Sequence, residues 1–416
     1  MDAVFFLGGD GVGFSVVNPS KRPHVTRWKK HCRRSPAGYA REVVLIICAI
    51  LLIALFTVTA LVTRLYHKKV HTLGDTWFAK GESTFQSGNA ALALVDYRNA
   101  LVYSPNNPLF QLHLAQALAA ANREEEASTY LVNLLAESPG SGEINLELAR
   151  ISAHRNEFLS AVRYYHSAIY GVWETDPLVK RWNVRRELCE YLLHRGDVTD
   201  MQPEVIGLAQ EVPSGDLKRQ KEAGAYLLRA ELWDRALQEF QSVLKFDHRD
   251  DDALAGAGTA EFQLGQYAKA LGYFEKLPRE KVDDSQISPM FEVCRQFVAA
   301  NPLEEGLSKR EKAERTATAL AEATARITDC AHQHGESISE LSQSSSLDKF
   351  QDLAAAGRDN ARNWSEVNLE LHPDRVNEAM KLVFQMEDAA TQSCGEPPMG
   401  PDRILWLIGR NTGETE

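Results

Sequence analysis

The residues whose chemistry fits metal binding are few and are concentrated near residue 330. Cys330, His332, His334 and Glu336 supply one thiolate, two imidazoles and a carboxylate. Such donors suit a transition metal, but the set holds a single sulfur and lies in a segment expected to be a loop. None of the six cysteines shows a CxxC or another zinc-type spacing. The sequence therefore predicts no metal site.

Catalytic motifs are missing as well. The sequence has no H-E-x-x-H and no G-x-S-x-G, and the S-x-x-K at 346–349 lacks the S-D-N and K-T-G partners of that motif. The glycine-rich segment Gly8–Gly13 is not followed by Lys-Ser or Lys-Thr and has no strand–helix frame, so it does not predict a phosphate loop. We expect no enzyme activity and no cofactor. An enzyme with an unrecognised C-terminal domain remains an alternative.

The elements that position the remaining side chains come from an internal repeat. Segments 74–107 and 108–141 are both 34 residues long and align without a gap. They hold similar residues at places 8, 20, 24, 27 and 32, namely Gly81 and Ala115, Ala93 and Ala127, Tyr97 and Leu131, Ala100 and Leu134, and Pro105 and Pro139. Small residues at places 8 and 20 let two helices, A and B, approach closely, and the proline ends helix B. The pattern predicts two helical hairpins.

Four further units follow in the same frame. Segment 142–175 keeps the pattern with Trp173 in place of the proline, and a break of about six residues opens at Asp176-Pro177. The unit 182–215 is degenerate, and 217–250 and 251–284 recover the pattern. The chain thus resembles the tetratricopeptide repeat (TPR) family, which has a 34-residue period. The resemblance implies an all-α solenoid over 74–284 that binds proteins on a concave surface.

In that family, places 2, 5, 9, 12 and 13 of helix A line the binding groove. Carried over, the resemblance implies a groove that includes Phe78, Glu82, Phe85, Leu112, Gln116, Arg150, His154, Arg186, His194, Lys218, Lys221 and Arg229. The family's clamp for chaperone C-termini, with Lys at place 5 and Asn at place 9, is absent. We expect a protein or peptide partner. The basic residues favour an acidic partner, unless they only solvate exposed helix faces.

Before the repeats, residues 43–62 carry no charge and, as a helix, would span about 30 Å, the thickness of a bilayer core. The run is too long for a signal-peptide core and lacks a good cleavage site, which predicts a transmembrane helix over 42–66. The poorly ordered head, 1–41, has a net charge of +6. The positive-inside bias then predicts a single pass through the plasma (inner) membrane, with a cytoplasmic N-terminus and extracytoplasmic repeats.

The whole chain has a net charge of −11, and residues 71–416 alone have a net charge of −19. This negative charge argues against nucleic-acid binding. Within the C-terminal region, 285–416, the segment 304–334 predicts one long amphipathic helix on the end of the stack, with a free coiled-coil dimer as the alternative. Another helix is expected over 374–392, and an apolar tail, 404–408, is expected to pack against the body. We expect this region to cap the solenoid.

Two cysteines of this region, Cys330 and Cys394, lie outside the repeats, near helix ends, and in the part expected to reach an oxidising compartment. A disulfide between them is therefore possible on sequence grounds. Cys189 and Cys294 lie on repeat helices and are expected to be buried small residues. Taken together, the sequence predicts a membrane-anchored TPR scaffold. The alternative is a structural subunit of a larger envelope complex that docks through its C-terminal region.

Overall fold

The computed structural model describes residues 36–337, 345–360, 363–398 and 400–412, and these are almost entirely helical. Helix α1, Pro36–Gln86, is 51 residues long and contains the whole apolar segment. It is long and apolar enough to cross a membrane, and none of its most apolar stretch is buried within the protein. The predicted disordered head lies outside the described residues up to residue 35. Helix α1 begins at Pro36, within the last residues of that segment.

Helix α1 continues without a break from the apolar segment into the first repeat. The helix predicted over 42–66 therefore does not end at residue 66. Its distal part is helix A of the first hairpin. The remaining repeat helices are α2 Ala90–Tyr103, α3 Pro108–Ala120, α4 Glu124–Glu137, α5 Gly142–His154, α6 Phe158–Ile169, α7 Pro177–Arg195, α8 Val198–Gln210, α9 Leu217–Arg229, α10 Trp233–Phe246, α11 Asp251–Gln263 and α12 Tyr267–Phe274. Odd numbers are A helices and even numbers are B helices. Residues 74–284, all described, thus form six hairpins.

Each turn from helix A to helix B uses a left-handed residue at place 15. These residues are Gly88, Asn122, Asn156, Gly196, Glu231 and Gly265. Glycine and asparagine tolerate this conformation, whereas a glutamate there is strained. Since Gly196 follows the same rule, the degenerate fourth unit keeps the 34-residue frame.

The glycines at place 8 have a different packing role from the one expected. A Cβ on Gly258 would lie 2.5 Å from the ring of Phe274, and one on Gly81 would lie 2.7 Å from Tyr97. The place-8 glycine therefore lies under the aromatic ring at place 24, rather than only allowing contact with the alanine at place 20. Unit 2, with Leu131 at place 24, accommodates Ala115 at place 8, and both are fully buried.

The junction between units 3 and 4 differs from the sequence expectation. Trp173 is buried, and its indole N–H donates to the carbonyl of Ala168 at 2.9 Å. Helix α7 begins at Pro177, because proline suits the first helical position, so residues 178–181 form its first turn. The six inserted residues, 176–181, therefore do not form a loop, because all but the first extend helix α7.

The C-terminal region is a helical cap. Its helices are α13 Arg279–Val282, α14 Ile287–Ala300, α15 Lys309–Ser337, α16 Ser345–Asn360, α17 Glu366–Leu371, α18 Val376–Cys394 and α19 Pro401–Thr412, with a 3-10 turn at Pro373–Arg375. The apolar face of α15 packs on α18 and α19 of the same chain, which covers the face that the coiled-coil alternative needed. In α19, Ile404, Leu405 and Ile408 are buried against the cap. The tail is packed in place.

Candidate protein-binding surface

The A helices of successive hairpins follow one another along one side of the stack. We call the exposed side of α1, α3, α5, α7, α9 and α11 the helix-A surface. Side-chain contacts bridge every junction between neighbouring A helices, and we call these five contacts the helix-A ladder. They are Glu82–His113, Gln116–Glu147, Arg150–Glu187, Arg186–Glu222 and Lys221–Asp252, at 2.6, 3.1, 2.7, 3.6 and 3.2 Å.

The N-terminal end of this surface is aromatic. Phe78 stacks on Phe110 with the ring centroids 4.6 Å apart. The hydroxyl of Tyr97 donates to Glu82 at 2.5 Å, and burial together with this bond raises the pKa of Tyr97. Phe78, Glu82 and Phe85 stay partly exposed, as a groove position requires. Leu112 does not, because it is only 6 % exposed and belongs to the core between the helices.

The middle of the surface centres on Arg150. Its guanidinium donates to both carboxylate oxygens of Glu187, at 2.8 and 2.7 Å, and to Glu147 at 3.0 Å. The hydrogen bonds to Glu187 raise the pKa of Arg150, so its guanidinium stays positively charged. The hydroxyl of Tyr165 also donates to Glu187, at 3.1 Å. His154 is highly exposed and reaches Glu124 on a B helix, outside the ladder.

The basic residues of units 4 and 5 are also paired. Arg229 lies 3.5 Å from Glu190, which accepts a hydrogen bond from Tyr226, and burial and that bond raise the pKa of Tyr226 to about 12. Although burial opposes it, the hydrogen bond from Lys221 lowers the pKa of Asp250. These contacts hold α9 against its two neighbouring A helices.

His194 and Lys218, two further predicted groove residues, also lie outside the ladder. His194 is exposed and its ring contacts the backbone carbonyl of Glu190 at 2.7 Å. Lys218 is exposed, and its ammonium has no ion-pair partner within the part of the chain that the structure describes. Lys218 is therefore the predicted groove lysine that is open to a partner.

Comparison with known proteins gives the family of this architecture. A sequence model of the tetratricopeptide repeat matches residues 78–141 and 222–284, which are the first two and the last two units. The chain therefore contains tetratricopeptide repeats. It is thus a protein-interaction scaffold, since TPR units bind protein or peptide partners. No curated protein sequence matches the chain.

Several solved structures resemble the TPR chain. PilW, a type IV pilus biogenesis factor, is 16 % identical, with a TM-score of 0.37, over 52 % of this chain and 97 % of PilW. The C-terminal part of a Cytophaga hutchinsonii TPR protein is 14 % identical, with a TM-score of 0.40, over 57 % of this chain and 92 % of that one. A Parabacteroides merdae TPR protein is 13 % identical, with a TM-score of 0.35, over 68 % and 99 %.

The TPR frame also explains the carboxylates that the sequence analysis missed. In the first three junctions, place 9 of one unit contacts place 6 of the next, and place 6 is glutamate in units 3, 4 and 5, at Glu147, Glu187 and Glu222. Pairing place 9 with place 6 along the sequence would have found Glu147 and Glu187, whereas Glu222 contacts place 5 of unit 4, Arg186. Because of these residues, the expected basic floor is a surface of paired charges.

The structure joins Cys330 on α15 to the last residue of α18, Cys394, by a disulfide, with 6.0 Å between the Cα atoms. Nearby, Arg326 is paired with Glu387 and also donates to the Thr391 hydroxyl at 3.1 Å. Burial, only partly offset by Arg326, raises the pKa of Glu387 to about 7. Among the described residues, no cluster of His, Cys, Asp or Glu has a metal-binding arrangement.

Proposed function

We propose that this TPR protein is a membrane-anchored scaffold that holds a protein partner on its helix-A surface, outside the cytoplasm. The observation that carries the proposal is the continuity of α1. One unbroken helix contains an apolar stretch with exposed side chains on every side and helix A of the first repeat. Such a helix satisfies its own backbone polar groups, as a membrane span must. The anchor and the binding array are thus a single element.

The orientation rests on charge. The segment 22–41, before the apolar run, is richer in Lys and Arg than the segment that follows it, and basic flanks stay in the cytoplasm. The repeats then lie in an extracytoplasmic space, where a disulfide in the cap is stable.

The partner that fits is a protein segment with carboxylates near unit 5. Lys218 is exposed, and Arg229 keeps about half of its side chain in solvent despite its contact with Glu190. The other cations are held by the ladder, so an acidic segment would have to compete with the chain's own glutamates. Exposed ion pairs contribute about 0–1 kcal/mol each, which makes exchange with a partner carboxylate inexpensive.

The first test is capture of the partner by charge-reversed variants. The double variant Lys218→Glu and Arg229→Glu should reduce partner capture from detergent-solubilised membranes and weaken its salt dependence. Its matched control reverses Arg235 and Lys245, which lie on the exposed face of helix α10, with the same change in net charge. Equal capture by both double variants would refute the acidic partner at this surface.

A second test addresses the anchor and its direction. The full chain should stay in the membrane pellet after alkaline carbonate extraction. A protease added outside spheroplasts should digest the repeats and leave the N-terminal head protected. Repeats that stay intact under this treatment, while the chain remains in the pellet, would reverse the orientation.

A further inference from the structure

Helix α2 has an apolar stripe on its solvent-facing side. Leu92, Val95 and Val102 are 56, 53 and 72 % exposed, and the half-buried Asn99 lies between them. Their spacing of three, four and three residues places all four on one face of the helix. This face is apart from the core side of α2, where Ala93, Tyr97 and Ala100 are fully buried. We call these four residues, Leu92, Val95, Asn99 and Val102, the α2 stripe.

The stripe is specific to the first unit. Its members stand at places 19, 22, 26 and 29 of the 34-residue frame. The same places hold Glu126, Thr129, Asn133 and Ala136 in unit 2, Ser160, Arg163, Ser167 and Tyr170 in unit 3, Asp200, Pro203, Gly207 and Gln210 in unit 4, Arg235, Gln238, Ser242 and Lys245 in unit 5, and Lys269, Gly272, Lys276 and Arg279 in unit 6. None of these is Leu, Ile or Val. Exposure to solvent thus explains the residue types at these places in the other units, but it does not explain the aliphatic residues of the first unit.

The position of α2 excludes the bilayer as the cover, given the proposed anchoring by α1. The helix runs back along α1, with Tyr97 against Gly81 and Ser104 against Gly74. Val102 therefore stands near the level of Gly74, about 18 Å beyond the end of the apolar run, and Leu92 stands further out. The headgroup layer is only about 5–7 Å thick on each side. Lipid does not reach the stripe.

We propose that the α2 stripe is the contact surface for a second copy of this chain in the same membrane. Two copies anchored in one bilayer carry the stripe at the same height and in the same direction. A two-fold axis along the membrane normal would then bring the two α2 helices together as a parallel pair. This inference rests on the proposed membrane anchor, and it does not depend on what the helix-A surface binds.

The spacing of the four residues and the single asparagine fit a parallel helix pair. Leu92 and Asn99 occupy a positions of a heptad pattern, and Val95 and Val102 occupy d positions. In such a pair a single asparagine faces its own copy and fixes the register. The Asn99 side chain makes no hydrogen bond among the described residues, so its amide is free to do this.

The stripe is too small to hold a dimer in dilute solution. It offers four side chains, whereas stable interfaces bury about 800 Å² on each partner. Confinement of both anchors to one membrane raises the effective concentration and compensates for the small area. We therefore expect association in the membrane that is lost on dilution in detergent.

The test is disulfide cross-linking of the full chain in its native membrane. Val102→Cys, in a background with Cys32 and Cys48 changed to Ser, should give a cross-linked homodimer on mild oxidation. Ala136→Cys, the same place in unit 2 and also exposed, is the matched control and should give several-fold less. Adding Val95→Lys to the Val102→Cys variant should abolish the product. Because Val95 is exposed, helicity should not change.

The outcomes separate the two proposals. Equal cross-linking at both cysteine positions, or a product in which Val102→Cys is joined to a different protein, would overturn the second copy as occupant. A chain released from the membrane by alkaline carbonate would overturn the anchor, and this inference with it. A chain that stays in the pellet without a Val102→Cys product overturns the inference alone.

Discussion

The substitution Gly258→Ala tests the packing rule of units 1, 5 and 6, in which a place-8 glycine lies under an aromatic ring. The new Cβ would lie 2.5 Å from Phe274, so the ring must move within a fully buried site. Overpacking of this kind costs about 1–3 kcal/mol, and the better helix propensity of alanine returns about 1 kcal/mol. We expect a net loss of up to about 2 kcal/mol in the free energy of unfolding.

The same site offers a rescue. Phe274→Leu should be destabilising alone, because it removes buried volume. Combined with Gly258→Ala it recreates the alanine–leucine pair that unit 2 uses. The double variant should therefore be more stable than the sum of the two changes predicts, by about 1 kcal/mol or more.

The assay is urea unfolding of the full chain in detergent, followed by far-UV circular dichroism. The control is Gly272→Ala, in helix α12, where a Cβ would meet nothing within 4 Å. That change should stabilise the helix by up to about 1 kcal/mol. If both alanine variants shift the midpoint equally, or if the two changes at the Phe274 site simply add, the packing rule is refuted.

Other features give simpler expectations. Ala93→Leu should destabilise the array by about 1–3 kcal/mol, because Ala93 is fully buried; unchanged melting would contradict this. Glu231→Gly should stabilise by up to about 1 kcal/mol, since Glu231 has a φ of 58°; a lower melting temperature would count against strain there. Non-reduced peptide mapping should join Cys330 to Cys394, and two free thiols at these positions in protein from the native membrane would exclude the bridge. The pKa of Glu387 is raised from 4.5 to about 7, so the stability that neutral Glu387 contributes is present below pH 4.5 and is lost as the pH rises through 7. Glu387→Gln should therefore reduce the pH dependence of the melting temperature. An unchanged pH profile of melting would contradict this expectation.

The period of 34 residues was enough to predict the hairpins, because each unit repeats the small and apolar places that bring two helices together. The degenerate fourth unit keeps the same frame, with Gly196 in a left-handed conformation at its turn. The continuity of α1 was not predicted, because the apolar run and the first repeat were read as separate patterns. No helix-breaking residue separates them.

The candidate surface was predicted in part. Place numbers identified Arg150 and Arg186 but treated each unit alone, and the ladder joins neighbouring units. A period within one unit does not reveal which charges pair between units. Leu112 was misplaced for a related reason, because a leucine at place 5 packs between helices where a polar residue would face the groove.

The central claim is that the helix-A surface holds a protein partner, and photo-cross-linking in native membranes tests it most directly. A photoreactive amino acid would replace Phe85 or Arg229 on that surface, with Arg235 on α10 as the control. The account predicts that both surface positions capture the same protein and that the Arg235 position does not. Capture from Arg235 alone would contradict it.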